Sequence, residues 1–467
     1  MHGAAVMRSA RISFDRGTLR VDGDVGAFGD LVRFDDRTGF HRASAYAYAC
    51  LVRAAAENRV VLRDELLPAW VASRRVHGSP SLRRYQEQAL AAFQRFGRRG
   101  VVVLPTGSGK TRVACAAMAR VGVSTVVLVP TRVLLEQWSG ILREHFDEPI
   151  GIVGDGQHRV ARVTVMTFES AYRCLDRFGD AFGMMIVDEA HHFAGGARAE
   201  ALEMCAAPIR LGLTATPPVS GTLGAALLRD RIGPVVFELQ IADLVGRDLA
   251  PLEMVRIHVS LSSEERRRYD ADLERFVACR GEVLRLNPDA DWLTSVRAIA
   301  RMPDGSAALA GMHQASRLAA FPAAKRRVVR ELCARHAEDR TLIFTAVADD
   351  AYAIGEQELV PVITADVSRA ERDAILASFR DRSVRAICSA RVLNEGIDVP
   401  EANVAIIVAG ALGAREHIQR IGRVLRPREG KRALAYELVT LDTLDEARTR
   451  ARRRRLAAHA SRARHVA

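Results

Sequence analysis

Five short, unbroken apolar runs punctuate the chain between residues 100 and 220: "VVVLP" (101–105), "TVVLVP" (125–130), "VTVMTF" (163–168), "MMIVDE" (184–189) and "IRLGLTAT" (209–216). Each ends in polar or glycine residues and is followed by a longer segment of helical period. A strand with one wet face would alternate, whereas a continuous apolar strand suits a parallel sheet covered on both faces. The pattern returns in "TLIFT" (341–345), "PVITAD" (361–366), "VRAICSA" (384–390), "NVAIIVAG" (403–410) and "ALAYELVTL" (433–441), separated by helices such as "SRAERDAILASFRDR". The expected fold is therefore α/β, with two tandem parallel-sheet domains at 81–250 and 336–445. A charged, helical insertion at 251–335 joins them.

The first 80 residues differ. "ARISFDRGTLRVDGD" and "LVRFDDRTGFHRA" read as short strands with turns and "SAYAYACLVRAAAEN" as a helix, which predicts a small α+β accessory domain. The segment 446–467, "EARTRARRRRLAAHASRARHVA", is a basic tail, a pattern more often solvated than specific. A length of 467 residues suits several domains, and the net charge of +12 favours a polyanionic partner without identifying it. The 7 cysteines are scattered and never form a C-x-x-C pair, which argues against a disulfide framework or a cysteine zinc site. No signal-peptide core follows "MHGAAVMRSARISF", and no run reaches the roughly 18 apolar residues of a membrane span, so a soluble cytoplasmic protein is expected.

Chemistry first shows in "LPTGSGKT" (104–111), which follows an apolar strand and opens a helix. In a P-loop, Thr106, Gly107, Ser108 and Gly109 would wrap an anion with backbone N–H groups. Lys110 would reach the β and γ phosphates, and the Thr111 hydroxyl would ligate Mg2+. The general pattern wants glycine at 104, where this chain has leucine. In "MMIVDEAHHF", Asp188 can hold Mg2+ through its waters and Glu189 can orient and deprotonate an attacking water. A metal site of Asp188, Glu189, His191 and His192 is the rival reading, though it lacks His-Glu-x-x-His spacing. In "HIQRIGRVLRP", Gln419, Arg423 and Arg426 share one helix face. Spacing alone leaves open a nucleic-acid patch, a solvated surface or half of an active site.

Taken in order, "LPTGSGKT", "LVPTRVLLEQW", "VMTFES", "VDEAHH", "LTATP", "LIFT", "ARVLNEGIDVPEANV" and "QRIGRVLRP" resemble the motifs of superfamily-2 DEAD/DEAH-box helicases. From about 82 to 440 the chain is most similar to the XPB-type DNA helicases of archaea and bacteria. The resemblance implies two RecA-like lobes that close on ATP and Mg2+ to move on or open DNA, 3′ to 5′, in DNA repair. It implies that Gln86 reads the adenine edge, and that His191 and residues 214–216 link hydrolysis to lobe motion. Thr131, Arg132, Thr167 and Thr345 would touch the sugar-phosphate backbone. Arg423 and Arg426 would be arginine fingers, with Gln419 facing the γ-phosphate and its water. Gly396 and Asp398 would lie in a loop contacting ATP and DNA.

The same resemblance makes 1–80 a damage-recognition-like DNA-binding domain. It places a DNA-gripping thumb at about 262–305, where the charge pattern equally suits a solvated helical pair. One departure stands out: the Arg-Glu-Asp element usual after "TAT" is missing from "TATPPVSGTLGAALLRDRIG". A chain without that wedge should unwind long duplexes weakly by itself, and a structure-specific nuclease is the expected partner of a monomer or heterodimer. Two alternatives remain at this level: a nucleic-acid-stimulated ATPase switch that remodels a complex, and an RNA helicase.

Overall fold

The computed structural model describes residues 8–66, 81–193, 197–216, 221–239, 252–390, 402–409 and 433–451. The chain divides into two compact units, Met1–Gln240 and Ile241–Ala467.

The first unit contains two sheets. Residues of the N-terminal segment form a five-stranded sheet in the order Arg33–Asp35, Phe40–Ser44, Thr18–Gly23, Ser9–Asp15 and Val61–Asp64, with helix Tyr48–Glu57 against it. Here the strands do alternate: Ile12, Leu19 and Val21 are fully buried while their neighbours face outward. Ala206, from the turn after residue 200, joins this small core, and the Arg231 guanidinium lies 4.0 Å from the centre of the Tyr46 ring. The accessory domain is thus seated on its neighbour within one unit.

The second sheet has eight strands in the order Val235–Glu238, Arg99–Val103, Ile209–Thr214, Met184–Val187, Thr125–Val129, Val163–Thr167, Ile150–Gly154 and Gln157–Arg159. All neighbours pair in parallel except the terminal Gln157–Arg159, which turns back on Ile150–Gly154. Every residue of Thr125–Val129, Val163–Thr167 and Met184–Val187 is buried, the condition that unbroken apolar runs demand.

In this sheet Arg210 is fully buried at the start of its strand. It donates to the carbonyls of Ala207 (2.9 Å), Leu202 (2.7 Å), Arg231 (2.8 Å) and Cys205. Burial pushes this guanidinium down to about 10, so it stays charged at neutral pH. One side chain thereby ties the 202–207 turn and the end of helix Leu223–Arg231 to the sheet.

The second unit holds a six-stranded, wholly parallel sheet in the order Leu252–Val259, Ala433–Thr440, Val404–Ile407, Thr341–Thr345, Ala386–Ala390 and Val362–Ile363. The insertion expected to be helical from 251 therefore opens with an edge strand of this sheet. "LEMVRIHV" leaves Glu253, Arg256 and His258 exposed, as an edge permits. Helices follow. Ser263–Leu286 starts at a capping box of Ser262 and Glu265, and buries Tyr269, Phe276 and Val283 as a seven-residue stripe. That stripe faces Gly305–Ala320, where a side chain at Gly311 would meet the Asp272 carbonyl at 2.1 Å. Glycine is required by that close approach. Among the described residues no helix is long and apolar enough to cross a membrane.

Candidate nucleotide and nucleic-acid site

Parallel strands deliver their following loops to one edge of a sheet, and ligands of such sheets bind there. In the first unit that edge gathers the loops after Arg99–Val103, Ile209–Thr214, Met184–Val187, Thr125–Val129 and Val163–Thr167. Segments 104–111, 188–192, 131–132 and 214–216 and Thr167, distant in sequence, become neighbours in one row.

The loop at 104–109 is built for an anion. Gly107 and Gly109 both have φ of 82°, a conformation that side chains resist, and Gly109 caps helix Lys110–Val121. No acidic residue occupies that helix's first turn, so its N-terminal N–H groups and dipole favour negative charge. Ser108 Oγ donates to the Pro105 carbonyl at 2.6 Å and fixes the loop, while Lys110 Nζ lies 3.3 Å from the Leu104 carbonyl. Thr111 follows Lys110 in the first turn of the helix, half-buried. The buried Thr106 Oγ1 has no hydrogen-bond partner among the described residues.

Gln86 is buried behind this loop. Its Nε2 donates to the Ser108 carbonyl at 2.7 Å and its Oε1 accepts from Arg83 N at 2.9 Å. Tyr85 OH donates to the same Ser108 carbonyl at 2.6 Å. Nε2 also makes a longer contact of 3.5 Å to Tyr85 OH, and Oε1 keeps a second lone pair.

Asp188 follows the central strand and is 6% exposed. Trp138 Nε1 donates to its Oδ2 at 2.8 Å and the Glu189 N–H to its Oδ1 at 3.0 Å. Burial pushes this carboxyl up, opposed by the Lys110 charge and then by the Trp138 and Glu189 donors. Glu189 sits at φ of 48°, a left-handed conformation costing a non-glycine residue about 1–3 kcal/mol, of the kind that concentrates at functional sites. His191 is buried, with Nδ1 at 3.5 Å from Glu189 Oε2 and 3.0 Å from Thr214 Oγ1. Thr214 Oγ1 in turn meets the carbonyl of Thr216 at 3.0 Å and its N–H at 3.1 Å. Asp188, Glu189, His191 and His192 form no metal-ligating cluster among the described residues. The left-handed glycines, the acid-free helix start, the buried Thr106 hydroxyl and the Asp188 carboxylate together fit a nucleotide phosphate with a divalent cation.

Thr131 caps helix Arg132–His145, accepting from Leu134 N at 3.3 Å, and Arg132 pairs with Asp155 at 3.1 Å. Arg132 is well exposed, so this ion pair is weak and its guanidinium can exchange to a phosphate. Thr167 caps helix Phe168–Phe178 through Ser170 N at 3.2 Å. In the second unit Thr345 is fully buried at the end of its strand and donates to the Val347 carbonyl at 2.9 Å. Gly396, Asp398, Gln419, Arg423 and Arg426 lie outside the described residues. Sequence reasoning assigned no role to Trp138 or Arg210. Both act through partners set by the fold, so only the fold reveals them.

Three family descriptions match the chain: the Xeroderma pigmentosum group B helicase damage recognition domain at 12–66, the Type III restriction enzyme res subunit at 79–219, and the helicase conserved C-terminal domain at 324–428. The "DNA 3'-5' translocase XPB2" of Sulfurisphaera tokodaii is 32% identical over 430 residues, covering 91% of this chain and 97% of that one. The "DNA 3'-5' helicase XPB" of Mycobacterium tuberculosis is 31% identical over 382 residues, 78% of this chain and 61% of that longer protein. In fold, the chain is similar to the Hef helicase domain of Pyrococcus furiosus, with a TM-score of 0.52 at 18% identity, covering 79% of this chain and 98% of that one. With an N-terminal domain, a phosphate loop and a second helicase lobe all matched in order, the chain belongs to the XPB family of ATP-dependent DNA helicases and translocases.

Proposed function

We propose that this chain moves 3′ to 5′ along DNA, with both named relatives' polarity as support and the row of loops at one sheet edge as the observation that carries the mechanism. In this reading the residues of the first unit bind and orient. Residues 106–109 and the helix start cradle the phosphates, Lys110 neutralises the β and γ oxygens, and Gln86 offers its remaining amide capacity to adenine. Thr111 and Asp188 would hold Mg2+. Bound ATP and Mg2+ supply the scissile phosphoanhydride and the charge that polarises it. Glu189 takes the proton of the attacking water, and its strained backbone fixes where that carboxylate stands. By the family resemblance, Gln419, Arg423 and Arg426 would act on the γ-phosphate and its water, and Gly396 and Asp398 would contact ATP and DNA; all five lie outside the described residues.

Thr131, Arg132 and Thr167 of the first unit, and Thr345 of the second, would each touch the sugar-phosphate backbone and no base. For the buried Thr345, the contact would run through its main chain. The wedge missing after Thr216 makes strand separation weak without help, and a structure-specific nuclease in DNA repair is the partner we propose. A strand-displacement assay on 3′-tailed and 5′-tailed duplexes, with ATPase measured on single-stranded DNA, duplex DNA and RNA, tests this reading. DNA-stimulated ATPase with slow, 3′-tail-dependent displacement is expected. Efficient unwinding of long duplexes from a 5′ tail, or stimulation by RNA alone, would overturn it.

A further inference from the structure

We propose that Trp138 is a positioning residue for the metal-holding carboxylate of Asp188, a role that rests on the reading of Asp188 as an Mg2+ ligand. Trp138 lies in helix Arg132–His145, is 1% exposed, and sends its single N–H to Asp188 Oδ2 at 2.8 Å across 50 residues of sequence. The other oxygen, Oδ1, is held by the Glu189 N–H at 3.0 Å. One donor on each oxygen stops the carboxylate from rotating, and each oxygen keeps lone-pair capacity for a further partner. The two donors differ in kind. The Glu189 N–H is part of the same loop and moves with it, whereas the indole reaches in from a helix on the neighbouring strand. An indole is also a donor only, so it cannot accept a proton or compete as a ligand. Partners that orient a ligating group in this way are worth about 10-fold to 100-fold in metal affinity or activity.

The full-length chain, its Trp138→Phe variant and its Asp188→Asn variant are compared by Mn2+ binding in the presence of ADP, read by electron paramagnetic resonance, and by ATPase titrated with Mg2+. Phenylalanine keeps a buried ring and removes the donor. The expected result is Mn2+ affinity lowered about 10-fold to 100-fold in Trp138→Phe, with half-saturation for Mg2+ raised and kcat at saturating Mg2+ reduced less. Wild-type Mn2+ affinity in Trp138→Phe, alongside lost affinity in Asp188→Asn, overturns the proposal, even if thermal stability falls. Wild-type affinity in Asp188→Asn overturns instead the assignment of Asp188. A second measurement does not depend on how Trp138→Phe folds. Trp138 is one of 3 tryptophans, with Trp70 and Trp292. In a Trp70→Phe/Trp292→Phe background the remaining indole N–H resonance should broaden when Mn2+ and ADP are added, and an unchanged resonance overturns the proposal.

Discussion

His191 Nδ1 stands 3.0 Å from Thr214 Oγ1, and the hydroxyl proton of Thr214 is already committed to the Thr216 carbonyl, 3.0 Å away. A carbonyl cannot donate, so the threonine proton lies between those two oxygens. With the hydroxyl proton on the Thr216 carbonyl, the Nδ1-protonated tautomer of His191 is the one that donates to Thr214. The Glu189 carboxylate at 3.5 Å from the same nitrogen agrees with that tautomer. Glu189, His191, Thr214 and Thr216 thus form one chain from the proposed catalytic carboxylate to the loop that follows the adjacent strand. Thr214→Val keeps the volume, removes the acceptor and strands a buried imidazole N–H. Nucleotide affinity should stay near wild type while DNA-stimulated turnover and movement fall at least 10-fold, measured by mant-ATP binding beside ATPase with and without DNA.

Lys110 opens its helix directly after Gly109, beside the loop proposed to cradle the phosphates. Lys110→Ala should abolish hydrolysis while DNA binding, carried by the basic surface and the Thr131–Arg132 region, persists in a filter or anisotropy assay. Wild-type turnover would remove the lysine from the phosphate site.

Much of this arrangement was legible because its signals are local. The central strands read as unbroken apolar runs since both of their faces are covered, and the left-handed Gly107 and Gly109 fall inside the eight consecutive residues that the sequence marks as a candidate phosphate loop. The strand Leu252–Val259 was not legible. Its charges at Glu253 and Arg256, three residues apart, resemble a helical, charged insertion until the partner strand Ala433–Thr440, far along the chain, supplies its hydrogen bonds. Gln86 illustrates a related limit: the family resemblance implies that it reads the adenine edge, but only the fold shows its amide also bracing Ser108 and Arg83. The Trp138–Asp188 bond and the left-handed Glu189 depend on tertiary placement, which no periodicity encodes.

Arg210 holds four carbonyls from inside the first unit. Replacing it with methionine fills part of the space and removes the guanidinium donor from the buried Ala207, Leu202 and Cys205 carbonyls, each loss worth about 1–3 kcal/mol, while the Arg231 carbonyl keeps Arg99 at 3.3 Å. Arg210→Met should lower the unfolding midpoint of the first unit by roughly 6–12 °C for a loss of about 3 kcal/mol, seen by differential scanning fluorimetry. Mg2+-dependent nucleotide binding should survive below that midpoint, because the buried guanidinium lies at the start of its strand, away from the phosphate loop.

Asp350 gives a pH dependence in the second unit. Burial pushes its carboxyl up to about 6, partly offset by Arg317, while an unfolded aspartate titrates near about 3.9. Between those values the folded chain binds more protons than the unfolded one, so the contribution of Asp350 to stability declines as pH rises from about 4 to about 6 and stays unfavourable above. Asp350→Asn should therefore slow hydrogen exchange in helix Ala348–Glu358 at pH 7.5 and have little effect near pH 4. Slower exchange at pH 4 alone would reverse the sign and contradict the argument.

The arginines of "QRIGRVLRP" carry the remaining prediction, and their role is separable from DNA binding by what each process needs. A phosphate contact on a DNA track acts in the ground state, so its loss weakens binding and lowers the salt dependence of affinity. An arginine finger acts where charge develops on the transferring phosphoryl group, so its loss leaves nucleotide and DNA binding nearly intact. The cost in turnover is about 10^3 to 10^5. Arg423→Ala and Arg426→Ala should each show the second pattern, measured as single-turnover ATP hydrolysis with saturating single-stranded DNA beside a salt titration of DNA affinity. Turnover near wild type together with a shallower salt dependence would place the arginines on the DNA instead.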